Sequence, residues 1–110
     1  MTKQRLLALT TGASLMLAGI GGAMAEAAAP DGAQLFVAKA CSSCHGPDGN
    51  TPIMPIYPKV TGQNAAYTLN QLRDIKSGAR NNGQAMVMMG IMAGVNEDEM
   101  QAIADWLSTQ

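Results

Sequence analysis

The segment from residue 46 to residue 62 contains seven glycines and prolines, a density that excludes a regular helix or strand. These helix- and strand-breaking residues are Gly46, Pro47, Gly49, Pro52, Pro55, Pro58 and Gly62. In a compact domain, an irregular segment of this length usually serves a function. The fold must therefore be built from the elements on either side of this segment.

Helical patterns flank the segment, and no part of the chain shows a convincing strand pattern. Asp31, followed three residues later by Gln34, has the spacing of a capping box and predicts a helix that runs toward Cys41. Asn64 is predicted to cap a second helix, which Gly78 ends. Along this second helix the apolar residues recur on one face: Ala65, Leu69, Leu72 and Ile75.

A third helix is predicted near the end of the chain. Asn96 and Glu99 repeat the capping-box spacing. An apolar stripe follows, made of Met100, Ile103, Ala104 and Leu107. Residues 79–95 are rich in glycine, asparagine and methionine and are interpreted as a second irregular loop. Together these patterns predict an all-α domain with three helices and two loops.

The beginning of the chain has the pattern of an export signal. Lys3 and Arg5 precede an apolar run over residues 6–20, and Ala-Met-Ala follows at residues 23–25. A basic start, a short apolar middle and an A-x-A site are typical of a secretory signal peptide. We expect cleavage after residue 25, a folded domain over residues 26–110 and a bacterial periplasmic location. The alternative is an uncleaved membrane anchor, although the run is shorter than the ~20 apolar residues that span a bilayer.

The charge of the predicted mature chain excludes two classes of partner. Cleavage would remove two of the seven basic residues and leave all eight acidic ones, for a net charge near −3. Proteins bind nucleic acid by neutralising phosphates with lysine and arginine, so no nucleic-acid partner is expected. No cluster of basic residues remains to hold an anionic membrane surface, and no membrane span is expected after cleavage.

The predicted mature chain has little material for a hydrophobic core. It has 85 of the 110 residues and eight glycines, and its four aromatic residues are Phe36, Tyr57, Tyr67 and Trp106. A domain of this size usually needs a disulfide, a metal or a cofactor for stability. The two cysteines, Cys41 and Cys44, are too close in sequence to join distant segments. We therefore expect a bound group to supply part of the core.

Residues 41–45 indicate what that group is. Their sequence, CSSCH, is the C-x-x-C-H signal for attachment of c-type haem. The thiols of Cys41 and Cys44 can form thioether bonds with the two vinyl groups of the porphyrin. His45 then lies under the iron as its proximal ligand. One covalently attached haem c is the predicted cofactor.

The same cysteine spacing has three other interpretations. A thioredoxin-like redox disulfide requires a βαβ context, which is missing. A zinc site requires further ligands, and the chain has no second Cys/His pair. A short structural disulfide is the simplest alternative in an oxidising compartment.

The sixth iron ligand cannot be a second histidine, because His45 is the only one in the chain. The methionines after residue 25 are Met54, Met86, Met88, Met89, Met92 and Met100. Met100 falls on the apolar stripe of the last helix, where core packing is the expected role. Met54 lies in the segment of residues 46–62, the proline-rich loop, which would have to double back sharply for Met54 to reach the iron. The sixth ligand is then one of the four methionines between residues 86 and 92, a lysine, some weaker group, or nothing.

The sequence resembles class I c-type cytochromes, and within them single domains of the bacterial cytochrome c4 and c553 groups. The matching segments are residues 41–50, 57–67, 71–78, 86–88 and 96–107, which cover nearly all of the predicted domain. The resemblance implies a small all-α fold of three to four helices wrapped around one haem. Cytochromes c4 carry two haem domains, whereas this chain has one C-x-x-C-H motif.

The resemblance also implies roles for particular residues. The axial methionine of the family lies just before the last helix, which corresponds to Met88, with Met89 as the alternative. The carbonyl of Pro58 would accept the ring N–H of His45 and orient the ring. The first and last helices would cross where Gly32 or Ala33 meets Trp106.

These assignments predict a function. An iron with His45 and Met88 on its two faces has no open position for a substrate, and a thioether ligand raises the potential. We expect a one-electron carrier that exchanges electrons with redox partner proteins, and not an enzyme. The alternative is an electron-accepting subunit of a dehydrogenase or of a sulfide-oxidising flavocytochrome. A third possibility is a five-coordinate haem that binds small ligands.

Overall fold

The computed structural model describes residues 12–14 and 29–110, and these residues are helical or irregular, with no strand among them. Five helices follow one another: α1 (Gly32–Ala38), α2 (Ser42–His45), α3 (Ala65–Ser77), α4 (Ala85–Met92) and α5 (Glu97–Leu107). The predicted all-α fold class is confirmed. Most of the predicted signal peptide, residues 1–25, lies outside the described residues. Among residues 12–14 and 29–110, no helix is both long enough and apolar enough to cross a bilayer.

The first and last helices cross at a glycine, as predicted. A Cβ atom on Gly32 would lie 2.2 Å from the carbonyl oxygen of Ala102 and 2.6 Å from the Cβ of Trp106. The lack of a side chain at Gly32 therefore lets the two helices approach closely. Next to this contact, the rings of Phe36 and Trp106 pack with their centroids 5.1 Å apart. Of the two small residues proposed from the sequence, the structure places Gly32 at the contact.

Helix α3 begins and ends where its sequence predicts. The side chain of Asn64 accepts a hydrogen bond from the backbone N–H of Tyr67. Gly78 ends the helix in the left-handed conformation, with φ of 81°. Such a residue at the end of a helix is most often glycine, which has no Cβ to clash. Leu69 and Ile75 are buried, and α3 packs against α4 and α5.

Helix α5 has the complete predicted capping box. The Asn96 side chain accepts from the backbone N–H of Glu99, and the Glu99 carboxylate accepts from the backbone N–H of Asn96. Its first turn carries three acidic residues, which interact favourably with the positive end of the helix dipole. The predicted apolar stripe is buried: Met100, Ile103, Ala104 and Leu107. This confirms the packing role of Met100.

The prediction of a loop over residues 79–95 is wrong for its second half, where α4 forms. The sequence of α4, AMVMMGIM, contains no proline and is apolar at almost every position. A helix without a polar face has no amphipathic period, and α4 also has no side-chain cap, so neither helix signal is present in the sequence. The tertiary contact with α3 accounts for a helix at this position.

The other helix that was not predicted is α2, which is a single turn within the attachment motif. The described part of the chain therefore has five helices, where the sequence patterns predicted three and the family resemblance three to four. The proline-rich segment is irregular, as predicted, and no helix lies between His45 and Ala65. The three largest fully buried side chains in the described part of the chain are Phe36, Met92 and Val95.

Candidate haem-binding site

The attachment motif folds as one helical turn. Cys41 is the N-cap of α2 and is buried, whereas Cys44 is half-buried, and both are free thiols. Three residues apart in a helical turn, the two thiols lie on the same side of the backbone. Burial raises the pKa of the Cys41 thiol above its ordinary value. The geometry presents two thiols side by side, as a double attachment requires.

The residue before this turn has an unusual conformation that the sequence did not reveal. Ala40 has φ of 64°, and it is the one non-glycine residue with positive φ in the described part of the chain. This left-handed conformation is unfavourable for a residue with a Cβ atom. Ala40 lies in the turn between α1 and α2, directly before the buried Cys41.

His45 is buried at the end of α2 and faces the proline-rich loop. Its Nδ1 lies 2.8 Å from the carbonyl oxygen of Pro58, the contact that the family resemblance implied. A carbonyl can only accept, so Nδ1 of the neutral ring carries the proton. The lone pair is then on Nε2, which is the nitrogen available to bind a metal.

Gly46 allows the loop to turn immediately after His45. Its φ is 84°, and a Cβ atom there would lie 2.0 Å from the carbonyl oxygen of Thr51. Further along the loop, the Val60 N–H donates a hydrogen bond of 2.9 Å to the Gly49 carbonyl. This bond joins the two sides of the loop that carries Pro58.

The methionines differ in how deeply they are buried. Met92 is buried in the core, as expected for a residue with a packing role, whereas Met54 and Met86 are exposed. Met88 and Met89 are half-buried on α4 and pack against the core. The two residues that the sequence left as alternatives for the sixth ligand are thus adjacent and similarly buried.

The described residues leave several large apolar side chains uncovered on the proline-rich loop and on α4. They are Ile53, Met54 and Ile56 on the loop, and Met86, Val87 and Ile91 on the helix. Ile53 is 63% exposed and Val87 is 62% exposed. The loop residues adjoin the attachment motif, since the Ile53 N–H donates to the Cys44 carbonyl at 3.1 Å, and exposed apolar side chains there fit a large apolar cofactor. Within the described residues, no three His, Cys, Asp or Glu side chains form a group that could hold a bare metal ion.

The sequence matches a known family over the whole described domain. Residues 29–110 match the profile of the family described as "Cytochrome c". The chain belongs to the cytochrome c family. Membership implies a covalently bound haem c, and Cys41, Cys44 and His45 form the C-x-x-C-H motif that fits it. Haem, iron and electron transport are properties of this family.

Individual relatives agree with this assignment. The chain is 36% identical over 96 residues to cytochrome c4 of Pseudomonas aeruginosa, covering 87% of the chain and 45% of the relative. It is 30% identical over 105 residues to cytochrome c-553 of Nitratidesulfovibrio vulgaris, covering 96% of the chain and 97% of the relative. It is also 35% identical over 86 residues to a "Thiosulfate dehydrogenase electron acceptor" of Stutzerimonas stutzeri, covering 72% of the chain and 38% of the relative.

A solved structure shows the same fold. Reduced recombinant cytochrome c4 from Pseudomonas stutzeri superposes with a TM-score of 0.60 at 33% sequence identity, covering 69% of the chain and 44% of that protein. The fold is that of class I cytochromes c, as the sequence resemblance implied. The chain spans less than half the length of the cytochromes c4 that it matches.

Proposed function

We propose that this chain is a periplasmic one-electron carrier with a single haem c, whose iron is held by His45 and Met88. The observation that carries the proposal is the hydrogen bond from buried His45 to Pro58. It sets the tautomer and fixes the ring, so that Nε2 is ready to bind iron. The relatives named cytochrome c4 and cytochrome c-553 support the same function.

Each site residue has a defined part in this proposal. Cys41 and Cys44 form the thioether bonds, and the Pro58 carbonyl holds the proton on Nδ1 of His45 and orients the ring. Met88 supplies the thioether ligand from α4, with Met89 as the alternative. The haem supplies the one-electron couple of its iron when it is bound. A methionine ligand favours the reduced iron and so raises the potential.

Location and partners follow from the export signal and the charge. Residues 1–25 have the pattern of a cleaved signal peptide, and covalent attachment prevents loss of the cofactor after export. With a net charge near −3 after cleavage, the domain is attracted to positively charged surfaces on redox partner proteins.

The visible spectrum of protein matured with haem-attachment machinery tests the proposal. We expect haem that survives acid–acetone extraction and a methionine-to-iron charge-transfer band in the oxidised protein. The double variant Cys41→Ser/Cys44→Ser is the control and should carry no covalent haem. Loss of haem on extraction of the unsubstituted protein would contradict attachment, and covalent haem without the band would contradict methionine ligation.

A second candidate function is electron acceptance within an enzyme complex. It is favoured by the relatives named thiosulfate dehydrogenase electron acceptor, at 34–35% identity over 71 and 86 residues. In this case the chain would be the haem-bearing subunit of a dehydrogenase or of a sulfide-oxidising flavocytochrome. Purification from the native periplasm distinguishes the two functions, because a subunit elutes with a stoichiometric partner and a free carrier elutes alone.

Binding of carbon monoxide to the reduced protein separates both functions from a five-coordinate haem. An iron with two strong axial ligands binds carbon monoxide slowly and incompletely at neutral pH. Rapid, complete binding would mean that no methionine is bound to the iron.

A further inference from the structure

Two lysines, one just after α1 and one in α3, donate hydrogen bonds to consecutive backbone carbonyls between α4 and α5. Lys39 is the C-cap residue of α1, and its Nζ donates to the carbonyl oxygen of Gly94 at 2.8 Å. Lys76, in the last turn of α3, donates from Nζ to the carbonyl oxygen of Val95. Both carbonyls belong to the α4–α5 junction, residues 93–96.

The two contacts differ in their surroundings, because the contact of Lys39 with Gly94 is exposed. Val95 is fully buried, and the contact of Lys76 with it is partly buried. Lys39 also forms an ion pair of 3.1 Å with Glu99, whose carboxylate belongs to the capping box of α5. Hydrogen bonds with one charged partner are about twice as strong as neutral ones.

The position of the carbonyls shows what the two lysines hold. The carbonyls of Gly94 and Val95 lie beyond Met92, the last residue of α4, and just before Asn96, which caps α5. Lys39 and Lys76 therefore hold the junction that follows α4 to the end of α1 and to α3.

We propose that Lys39 and Lys76 are positioning residues that keep α4 closed on the iron, and so keep the methionine ligand bound. The proposal rests on the proposed function, because Met88 and its alternative Met89 both lie on α4. Lys39 is only two residues before Cys41, so its bond to Gly94 connects the segment that attaches the haem to the junction that follows the methionine-bearing helix. A movement of α4 away from the haem would release Met88, and the two lysines would oppose that movement.

Displacement of the methionine by added imidazole measures this effect in the oxidised haem protein. The variants Lys39→Met and Lys76→Met keep an apolar side chain of similar length and remove the ammonium donor. Each should bind imidazole about tenfold more tightly than the unsubstituted protein, as expected when one charge-assisted hydrogen bond is lost. The variants Lys39→Arg and Lys76→Arg keep a cationic donor and should restore most of the original affinity.

Arg73→Met is the matched control. Arg73 lies on α3 like Lys76 and pairs with Glu97 on α5, but it contacts side chains and no carbonyl of the α4–α5 junction. The substitution removes the same charge, so a general electrostatic effect would appear in it equally. We expect its imidazole affinity to stay within about twofold of the unsubstituted protein.

The outcomes separate the two proposals. If the unsubstituted protein has the charge-transfer band and both lysine variants bind imidazole no more tightly than Arg73→Met, the positioning role is wrong while methionine ligation stands. If the unsubstituted protein lacks the band, the ligand assignment fails and the positioning role with it. Tighter imidazole binding in Lys39→Met and Lys76→Met would establish the positioning role, provided that Lys39→Arg and Lys76→Arg restore the original affinity.

Discussion

Gly32 lies so close to Ala102 that a Cβ atom at position 32 would be 2.2 Å from the Ala102 carbonyl oxygen. The nearest atom is backbone of α5, so the obstacle cannot rotate away as a side chain could. The neighbouring Phe36 and Trp106 rings make the same crossing tight. The crossing of α1 and α5 therefore depends on the absence of a side chain at this one position.

The first prediction follows from this contact. Gly32→Ala should destabilise the haem protein by about 2 kcal/mol, because an added methyl group in a packed contact forces the helices apart. Thermal or denaturant unfolding followed by circular dichroism measures the change. Gln34→Ala is the control, since Gln34 is exposed on the same helix and should change stability by less than about 0.5 kcal/mol. Equal stability of the two variants would show that the crossing tolerates a methyl group.

A second prediction concerns the sixth ligand. Met88→Ala should keep the covalent haem but lose the methionine-to-iron charge-transfer band, lower the potential and let the reduced protein bind carbon monoxide rapidly. Met89→Ala should keep the band, because Met89 is expected to pack between helices, where its Sδ would lie 3.5 Å from a Cβ on Gly78. Spectra and potentials of the two variants, measured side by side, show which of the two methionines is the sixth ligand. Loss of the band in Met89→Ala alone would assign that role to Met89.

A third prediction uses the strained residue before the attachment motif. Ala40 has φ of 64°, a conformation that costs a residue with a Cβ atom roughly 1–2 kcal/mol and costs glycine almost nothing. Glycine also makes the unfolded chain more flexible, which offsets roughly 0.4–1 kcal/mol of that gain. Ala40→Gly should therefore stabilise the protein by about 0.5–1 kcal/mol in denaturant unfolding. Ala38→Gly, at the last residue of α1, should have the opposite sign, and a loss of stability in both would show that Ala40 is not strained.

The parts of the fold that were predicted from the sequence are those whose signals come from side chains. Asn64 and Gly78 bound α3, and Asn96 with Glu99 begins α5, because capping depends on which side chain stands at the end of a helix. Helix α4 has no such signal. Its apolar sequence is compatible with a loop, a core strand or a helix, and packing against the rest of the domain decides among them.

The site, too, has residues that the sequence indicates and contacts that it does not. The motif of Cys41, Cys44 and His45 is readable because the chemistry requires those residue types at that spacing. The Pro58 contact came only from the family resemblance, since a carbonyl acceptor is present on every residue. For the same reason the sequence did not indicate the bonds of Lys39 and Lys76, whose partners are backbone carbonyls.

The last prediction concerns the dependence of stability on pH. Hydrogen bonds from the Asn96 backbone and from Lys39 lower the pKa of Glu99 below its ordinary value of 4.5. A carboxylate whose pKa is lower in the folded state stabilises the protein above its unfolded pKa, and this contribution is lost as the pH falls through the folded pKa. Unfolding at a series of pH values should show a contribution of Glu99 that is complete near neutral pH and disappears in acid.

The variant Glu99→Gln isolates this contribution. Glutamine can still accept the bond from the Asn96 N–H but carries no charge for Lys39, so the variant should be less stable than the original protein near pH 7. The difference should shrink below the ordinary carboxylate pKa of 4.5, as the original carboxylate becomes protonated. Asp98→Asn is the control, because Asp98 forms no ion pair or side-chain hydrogen bond in the described part of the chain. A stability difference for Glu99→Gln that stays constant down to about pH 3 would mean that the loss comes from the capping geometry and not from the charge.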